Sequence, residues 1–231
     1  MKNYNHYERA FEAYIHQLGL PCVSTRERRR AVTEENPEMS LKTFDFIVSS
    51  RRLHVPTSWN VEGGKDYIQY FRNASPYAPL LQKFQMPENE RRFPRMPANG
   101  NVVLDPSALS WLVEIKGRRF PSGQKSLQYW RNWTASDDLV SLARWENLFG
   151  VGFHGLFVFV YDVCGTRYPV EEWRLFEYEG KRYAFFGVPL VIYDDRCRRL
   201  SERWQTVTMS TIDFRKFAVP LDLLFGCRAD V

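Results

Sequence analysis

The stretch Ser110-Trp111-Leu112-Val113-Glu114-Ile115-Lys116 is an apolar run that ends with an acid and a lysine. Its apolar residues favour a buried strand, which we expect Gly117 to end. Glu114 and Lys116 are two residues apart, so both side chains leave the same face of the strand, with Cα atoms about 6.6–7 Å apart. The charged pair needs partners if the sheet is buried, because burial of an unpaired charge is costly.

Helix and strand patterns alternate on both sides of this strand. Apolar residues at three- and four-residue spacing predict a first helix over 5–18, and strand propensity predicts a strand over 43–48. The later segments predict a short helix over 127–133, a helix from Ser136, a strand over 155–161, a hairpin of 174–178 with 182–186, and a short helix over 213–225. This order predicts an α/β sandwich with a mixed central sheet.

Length and composition favour one folded domain. A chain of 231 residues, 44% of them hydrophobic, can bury a large core without a disulfide or metal staple. The region from about 50 to 105 has poor periodicity and is punctuated by proline and glycine, which predicts an irregular insertion. We therefore expect a single domain over 1–231 that carries this insertion.

The cysteines and the hydropathy pattern indicate a cytoplasmic protein. The four cysteines are far apart in sequence and form no C-x-x-C pair, which predicts reduced thiols. No apolar run approaches the roughly 20 residues that a membrane span needs, and the N-terminus does not resemble a signal peptide. We expect no membrane partner.

The charge balance favours a polyanionic partner. The net charge is +5, and 24 of the 32 basic residues are arginine, which binds phosphate through two hydrogen bonds. Arg118, Arg119 and the run that contains Arg28 and Arg29 are candidate contacts to a phosphate backbone, although each could equally be a solvated surface charge.

Familiar nucleotide and protease motifs are absent or misplaced. Residues 150–155 match G-x-G-x-x-G, but the pattern around them predicts a helix before the motif and a strand after it, the reverse of a dinucleotide site. The four histidines are scattered and share no metal-ligand spacing. The acidic residues are therefore the candidates for chemistry.

Asp45 is a lone acid inside the apolar run 44–48, where an unpaired carboxylate would be costly. A divalent cation shared with Glu114 would relieve both acids, and Mg²⁺ or Mn²⁺ would suit two carboxylates with the Ile115 carbonyl as a third ligand. Ion pairs are the alternative: Lys116 with Glu114, and Asp45 with an arginine such as Arg118. On the first helix, Glu8 and Glu12 share a face and either could extend the site, with Glu8 favoured as the inner residue.

This order of residues resembles the PD-(D/E)XK nuclease superfamily, in which a helix glutamate, a strand aspartate and an E-x-K strand form the site. His6-Tyr7-Glu8-Arg9-Ala10-Phe11-Glu12 is similar to the signature of the bacterial HYExAFE family, and so are segments 42–46, 113–121, 127–133, 142–152 and 183–190. The resemblance covers nearly the whole chain except the insertion. Phe44 stands where many superfamily members have proline.

The resemblance implies a restriction-endonuclease-like three-layer sandwich and Mg²⁺-dependent hydrolysis of nucleic acid, with DNA as the expected polymer. It implies metal binding by Asp45, Glu114, Ile115 and a first-helix glutamate, a catalytic role for Lys116, and a role for Gln128 on a helix after the E-x-K strand. The alternatives are a silent nucleic-acid-binding or interaction module with the same fold, or a structural network of buried ion pairs. The sequence does not decide whether the chain forms a homodimer.

Overall fold

A mixed β-sheet with helices on both faces forms the core of the protein, which confirms the α/β class and the mixed sheet. The computed structural model describes residues 5–25, 42–49, 110–123, 127–150, 152–225 and 227. The insertion predicted at about 50–105 and the arginines Arg28 and Arg29 lie outside these residues. The single domain over 1–231 stays a prediction.

The strands are β1 (Cys22–Ser24), β2 (Phe46–Ser49), β3 (Ser110–Phe120), β4 (Thr134–Ala135), β5 (Phe153–Val163), β6 (Phe176–Tyr178), β7 (Lys181–Pro189), β8 (Cys197–Ser201), β9 (Thr206–Met209) and β10 (Val219–Pro220). The helices are α1 (His6–Gln17), α2 (Ser136–Phe149), α3 (Leu190–Arg196), α4 (Thr211–Phe217) and α5 (Leu221–Leu224), with a 3-10 turn at Glu172–Arg174.

Two sheets are present in the described part of the chain. The central sheet has the order β1-β2-β3-β5-β7-β10, and β6 pairs with β7. β1, β2 and β3 are antiparallel neighbours, whereas β3 and β5 run parallel along their full lengths. A parallel pair needs a crossover, and α2 lies within the segment that makes it. The smaller sheet has the order β4-β9-β8.

Helices α1 and α2 cover opposite faces of the central sheet. The ring of Tyr7 in α1 lies over Gly117, where a Cβ would come within 2.1 Å of it. Leu142 of α2 lies over Gly155, whose partner in β3 is Leu112. Successive strand residues point to opposite faces, so positions 112 and 117 belong to different faces. The side chains of Glu114 and Lys116 therefore share the face that α2 covers.

Burial follows this layering. Every residue of β5 except Phe153 is buried, as expected for a central strand covered on both faces. On the α1 side, the Phe11 ring lies 5.1 Å from the Phe46 ring and 6.3 Å from the Phe185 ring, measured between centroids. The apolar spacing that predicted the first helix thus corresponds to its buried face.

Two elements agree closely with their sequence patterns. Helix α1 begins after Asn5, whose side chain accepts a hydrogen bond from the Tyr7 amide. The predicted hairpin is β6–β7, and its two-residue turn has positive φ at both Glu179 (48°) and Gly180 (72°). Positive φ at both central residues is typical of the turns that match the twist of paired strands.

Gly117 does not end β3, contrary to the prediction, because the strand continues to Phe120. The missing Cβ instead admits the Tyr7 ring. The tail helix predicted over 213–225 is also wrong as a single element. It is divided into α4 and α5 by the short strand β10, because Pro220 lacks the amide that a continuous helix requires.

The short helix predicted over 127–133 is wrong, and the segment forms a loop instead. Gln128 pairs with Ser122 through backbone hydrogen bonds of 2.7 and 2.8 Å, and Trp130 has a φ of 61°, outside the helical region. The rings of Tyr129 and Trp130 lie 5.1 and 5.3 Å from the Phe120 ring. The apolar residues of this segment therefore pack as a loop against the end of β3.

None of the helices in the described ranges combines the length and the apolar character that crossing a membrane would require.

We predict that Gly117→Ala destabilises the protein by about 1–3 kcal/mol, because the new methyl group would overlap the Tyr7 ring and displace α1 from the sheet. In a Tyr7→Ala background the same substitution should cost much less, since the overlapping ring is gone. Urea unfolding of the two single variants and the double variant measures the coupling. An equal cost in both backgrounds would contradict this account of the glycine.

Candidate functional site

The register between β2 and β3 brings the two predicted acids together. Phe46 lies opposite Val113 in the last pair of the ladder, and Asp45, one residue before β2, contacts the β3 backbone just beyond it. Asp45 and Glu114 are both buried, at 6% and 8% exposure. The two carboxylates are close enough for Asp45 to contribute to the raised pKa of Glu114. The predicted Asp45–Glu114 pairing is thus present, although Asp45 precedes the strand rather than lying within it.

Backbone contacts hold Asp45 in this position. Its amide donates to the Val113 carbonyl at 2.8 Å, and its Oδ2 accepts a hydrogen bond from the Ile115 amide at 2.8 Å. Its own carbonyl accepts from the Thr25 amide at 3.0 Å. The Asp45 carboxylate therefore accepts the hydrogen bond from the Ile115 amide that a backbone carbonyl of a longer β2 strand would otherwise accept.

The Ile115 carbonyl faces the same edge of β3. The amide and carbonyl of one strand residue point to the same side, and the Ile115 amide points to Asp45. In the described residues, the β2 ladder ends with Phe46 opposite Val113, so it does not extend to this carbonyl. This orientation is compatible with the predicted role of the Ile115 carbonyl as an oxygen ligand.

Lys116 joins Glu114 to an acid that the sequence analysis did not assign to the site. Its Nζ lies 2.8 Å from Glu114 Oε1 and also contacts Asp138 Oδ2. Asp138 belongs to the first turn of α2 and is 5% exposed. An acid in a first helical turn is ordinarily explained by the helix dipole, and no local spacing links position 138 to position 116.

Asp138 is fixed by the residues just before its helix. Its Oδ2 accepts hydrogen bonds from Thr134 Oγ1 at 2.8 Å and from the Ala135 amide at 3.2 Å. Ser136, predicted to cap the first turn with its side chain, instead donates its hydroxyl to the Gln205 carbonyl at 3.0 Å. The acid of the first turn thus serves both the start of α2 and the Lys116 ammonium group.

A second ammonium group completes the cluster. Lys42 Nζ contacts Asp138 Oδ1 and lies 4.0 Å from Glu114 Oε1. The Lys42 carbonyl accepts a hydrogen bond of 3.0 Å from Trp145 Nε1 of α2, which holds this part of the chain against the helix. The side chain of Lys42 is 51% exposed, compared with 11% for Lys116, so Lys42 is the more accessible cation of the two.

The charge cluster, defined as Lys42, Asp45, Glu114, Lys116 and Asp138, sets the pKa values of its members. Burial raises the pKa of Glu114 to about 7; Lys116 opposes the rise, and Asp45 and Asp138 add to it. Burial acts in the same direction on Asp138, but contacts with Lys116 and Lys42 outweigh it and lower its pKa to about 2. Burial acts to lower the pKa of Lys116, yet Glu114 and Asp138 raise it above its usual value. Lys116 is therefore a permanent cation at neutral pH.

The two first-helix glutamates differ in their surroundings. Glu8 is 8% exposed, whereas Glu12 is half-buried and lies near Cys22, whose thiol pKa is raised to about 12 by burial and by that carboxylate. Helix α1 covers the Gly117 face of the sheet, opposite to the charge cluster. Among the described residues, no three or more His, Cys, Asp or Glu side chains form a group able to hold a metal ion. The geometry thus does not add Glu8 or Glu12 to the Asp45–Glu114 pair.

Gln128 lies away from the charge cluster. It pairs with Ser122, beyond the end of β3, and its side chain is exposed. Phe120, the last residue of β3, is six residues past Glu114, about 20 Å along a strand. The resemblance implied a glutamine on a helix after the E-x-K strand. That premise fails because this segment is a loop.

The two arginines of β3 that the sequence analysis proposed as phosphate contacts have different surroundings. Arg118 is half-buried, its guanidinium lies 4.1 Å from the centroid of the Trp133 ring, and it donates hydrogen bonds to the carbonyls of Gly117 and Trp133. Burial lowers its pKa. Arg119 is exposed but points to the opposite face from Glu114 and Lys116. Arg118 thus has a packing role in this structure.

The charge cluster can perform two kinds of chemistry. Adjacent carboxylate oxygens are suitable ligands for a hard cation, and a fixed ammonium group beside them can stabilise negative charge on a substrate. With every member ionised, three carboxylates face two ammonium groups and the net charge of the cluster is −1; with Glu114 protonated, the net charge is zero. The ionised form of Glu114 therefore favours the approach of a cation.

We predict that Asp138→Asn destabilises the protein in a pH-dependent way. The folded-state pKa of Asp138 lies below its ordinary value, so its ionised form stabilises the fold above about pH 4 and this contribution is lost as the pH falls towards 2. The shift corresponds to about 2 kcal/mol at pH 5 and roughly half of that at pH 3. Urea unfolding of both proteins at these two pH values measures the difference.

Asp137→Asn is the matched control, because Asp137 is the exposed neighbour of Asp138. We expect it to change the free energy of unfolding by less than about 0.5 kcal/mol at either pH. A pH-independent effect of Asp138→Asn would contradict the ion-pair explanation.

Comparisons with known proteins provide no relative for this chain: no family model, no curated protein and no solved structure matches it. The functional proposal therefore depends on the geometry of its own side chains.

Proposed function

We propose that the protein is a Mg²⁺-dependent nuclease that hydrolyses phosphodiester bonds in DNA, with Asp45, Glu114 and Lys116 as its catalytic residues. The observation that carries the proposal is the proximity of the buried Asp45 and Glu114 carboxylates, with the Lys116 ammonium 2.8 Å from Glu114. Two carboxylates next to a partly buried lysine combine metal ligands with a group that stabilises phosphate charge.

The topology supports a restriction-endonuclease-like fold. A helix and three antiparallel strands (α1, β1, β2 and β3) are followed, after the short strand β4, by the crossover helix α2 and by β5, which runs parallel to β3. The E-x-K residues lie in the middle of β3, and the aspartate immediately precedes the neighbouring strand β2. This is the arrangement that the resemblance to PD-(D/E)XK nucleases implies.

The donor set fits Mg²⁺. This ion usually binds one or two carboxylates and completes its octahedral shell with water and substrate phosphate, so a full protein cage is unnecessary. Asp45 and Glu114 would supply the carboxylates, with the Ile115 carbonyl facing the same edge of β3. The raised pKa of Glu114 reflects burial beside other acids, a cost that a bound cation would relieve.

Each residue has a separate task in the proposed reaction. When bound, Mg²⁺ would polarise the phosphoryl oxygen and lower the pKa of a bound water molecule. Lys116 keeps its proton, since its pKa is raised, and so it acts by stabilising the negative charge that develops on the phosphate. Asp138 holds the Lys116 ammonium in place, and the Ile115 amide orients Asp45.

A catalytically silent module is the second candidate. Lys116 and Lys42 already contact the carboxylates of Glu114 and Asp138, so these ion pairs compensate much of the buried charge without a metal. Such a network would stabilise the fold while the surface bound nucleic acid. Mg²⁺ binding and cleavage measurements separate the two candidates.

We predict that Asp45→Asn and Lys116→Met each lower Mg²⁺-dependent cleavage of plasmid or oligonucleotide DNA by about 100-fold or more. The side-chain carbonyl introduced by Asp45→Asn could still accept the hydrogen bond from the Ile115 amide, so the fold should persist while the negative charge is lost. Circular dichroism and thermal unfolding check the fold of each variant. EDTA should abolish cleavage by the wild-type protein.

Asp137→Asn is again the control and should cleave at the wild-type rate, because its side chain is exposed and outside the charge cluster. Cleavage by Lys116→Met at the wild-type rate would overturn the mechanism. DNA binding by the wild-type protein without Mg²⁺-dependent cleavage would favour the silent module.

A further inference from the structure

A hairpin formed by β8 and β9 projects three arginines and a tryptophan into solvent. Its turn covers residues 202–205, and Arg198, Arg199 and Arg203 are all exposed. Trp204 is 69% exposed, and the Arg203 guanidinium lies 5.1 Å from the centroid of its ring. The sequence analysis did not predict this hairpin, and the proposed cleavage reaction does not use it.

The backbone of the hairpin directs these side chains outward. The ladder shifts register between Arg199 and Ser201, which leaves Leu200 as the extra residue of a bulge, 55% exposed. A bulge re-aims the side chains of an edge strand. Between positions 198 and 205, three arginines against one glutamate leave a net charge of +2. Arg199 contacts that glutamate, with its Nη1 atom 3.2 Å from Glu202 Oε1.

The hairpin is attached to the elements that hold the charge cluster. The Ser136 amide donates to the Gln205 carbonyl at 2.8 Å, and Thr134 and Ala135 of β4 pair with β9. Thr134 and Ala135 also donate hydrogen bonds to Asp138, which contacts Lys116. Two consecutive residues therefore connect the hairpin turn to the proposed catalytic lysine.

Asn132 fastens the other end of the hairpin. Its Oδ1 accepts hydrogen bonds from the Met209 amide at 2.9 Å and from Thr208 Oγ1 at 2.8 Å. Tyr193 Oη, which is buried, also contacts the carbonyls of Asn132 and Val207. The hairpin base is therefore anchored, and its tip presents the arginines and Trp204 from a fixed position.

We propose that this hairpin tip, defined as residues 198–205, binds a single-stranded segment of DNA beside the charge cluster. The inference rests on the proposed function and names the form of its substrate. Arginines contact phosphates, and an exposed indole stacks on a base. Base faces are accessible only where bases are unpaired, so Trp204 selects single strands over duplex.

The test is fluorescence anisotropy with a labelled single-stranded DNA oligonucleotide and its duplex, in EDTA so that cleavage does not occur. Trp204→Ala should weaken single-strand binding by about 5- to 150-fold, the range measured for one stacked base. Arg203→Ser should weaken it and reduce the slope of log Kd against log salt by about 0.7 for a lost phosphate contact.

The matched control is Arg167→Ser. Arg167 is also an exposed arginine over an aromatic ring, 4.7 Å from the Tyr129 centroid, but it belongs to the loop that follows β5. It should bind DNA as the wild type does. Thermal unfolding of all three variants verifies that the exposed substitutions leave the fold intact.

The outcomes separate this inference from the proposed function. Weaker binding by the Trp204 and Arg203 variants supports the inference even if the wild-type protein cleaves nothing. Unchanged binding by both variants overturns it even if the wild-type protein cleaves DNA. Tighter binding of duplex than of single strand also overturns it, and so does a dimer that Trp204→Ala dissociates without any change in DNA affinity. Absence of single-strand binding by the wild-type protein at low salt overturns the inference, whereas Mg²⁺-dependent cleavage tests the proposed function separately.

Discussion

The candidate site depends on the hydrogen bond from the Ile115 amide to the Asp45 carboxylate. β2 begins at Phe46, opposite Val113, so its pairing with β3 stops before Ile115. Without the Asp45 carboxylate, the Ile115 amide would lose this hydrogen-bond acceptor. The Asp45 carboxylate accepts this hydrogen bond beyond the end of the ladder and at the same time lies near Glu114. A backbone requirement of the sheet thus places the second carboxylate beside the first, and fold and candidate chemistry share one contact.

A second constraint is the sharing of one ammonium group between two acids. Lys116 lies between Glu114 and Asp138, and the two carboxylates respond in opposite directions. Asp138 gains two cations and local hydrogen bonds and stays ionised far into the acid range, whereas Glu114 is buried beside two other acids and holds its proton more tightly. Asp138 is therefore the counter-ion of Lys116, whereas Glu114 is the carboxylate whose protonation changes near neutral pH.

Strand geometry explains how much of the site could be predicted. The two-residue spacing of Glu114 and Lys116 predicts a shared face, and a lone acid in the apolar run at Asp45 predicts a partner, because both arguments use local periodicity and the cost of burial. Asp138 escaped prediction because its role depends on where α2 packs, which no local pattern records. Gln128 was assigned to a helix because the aromatic residues of the loop 127–133, which pack against Phe120, have a spacing similar to that of an apolar helix face. The β8–β9 hairpin was missed because its polar, arginine-rich strands lack the alternation that identifies a half-buried strand.

The pairing of Ser49 with Ser110 also has a consequence for how the chain folds. These two residues are separated by about 60 others. Bringing together the ends of a chain segment of that length costs roughly 2 kcal/mol more free energy, through lost conformational entropy, than closing a hairpin of five residues. Contacts so distant in sequence form slowly, and the parallel ladder of β3 with β5 is likewise non-local. We therefore expect Asp45 to meet Glu114 late in folding, so that buried acids are brought together only when most of the sheet is already in place.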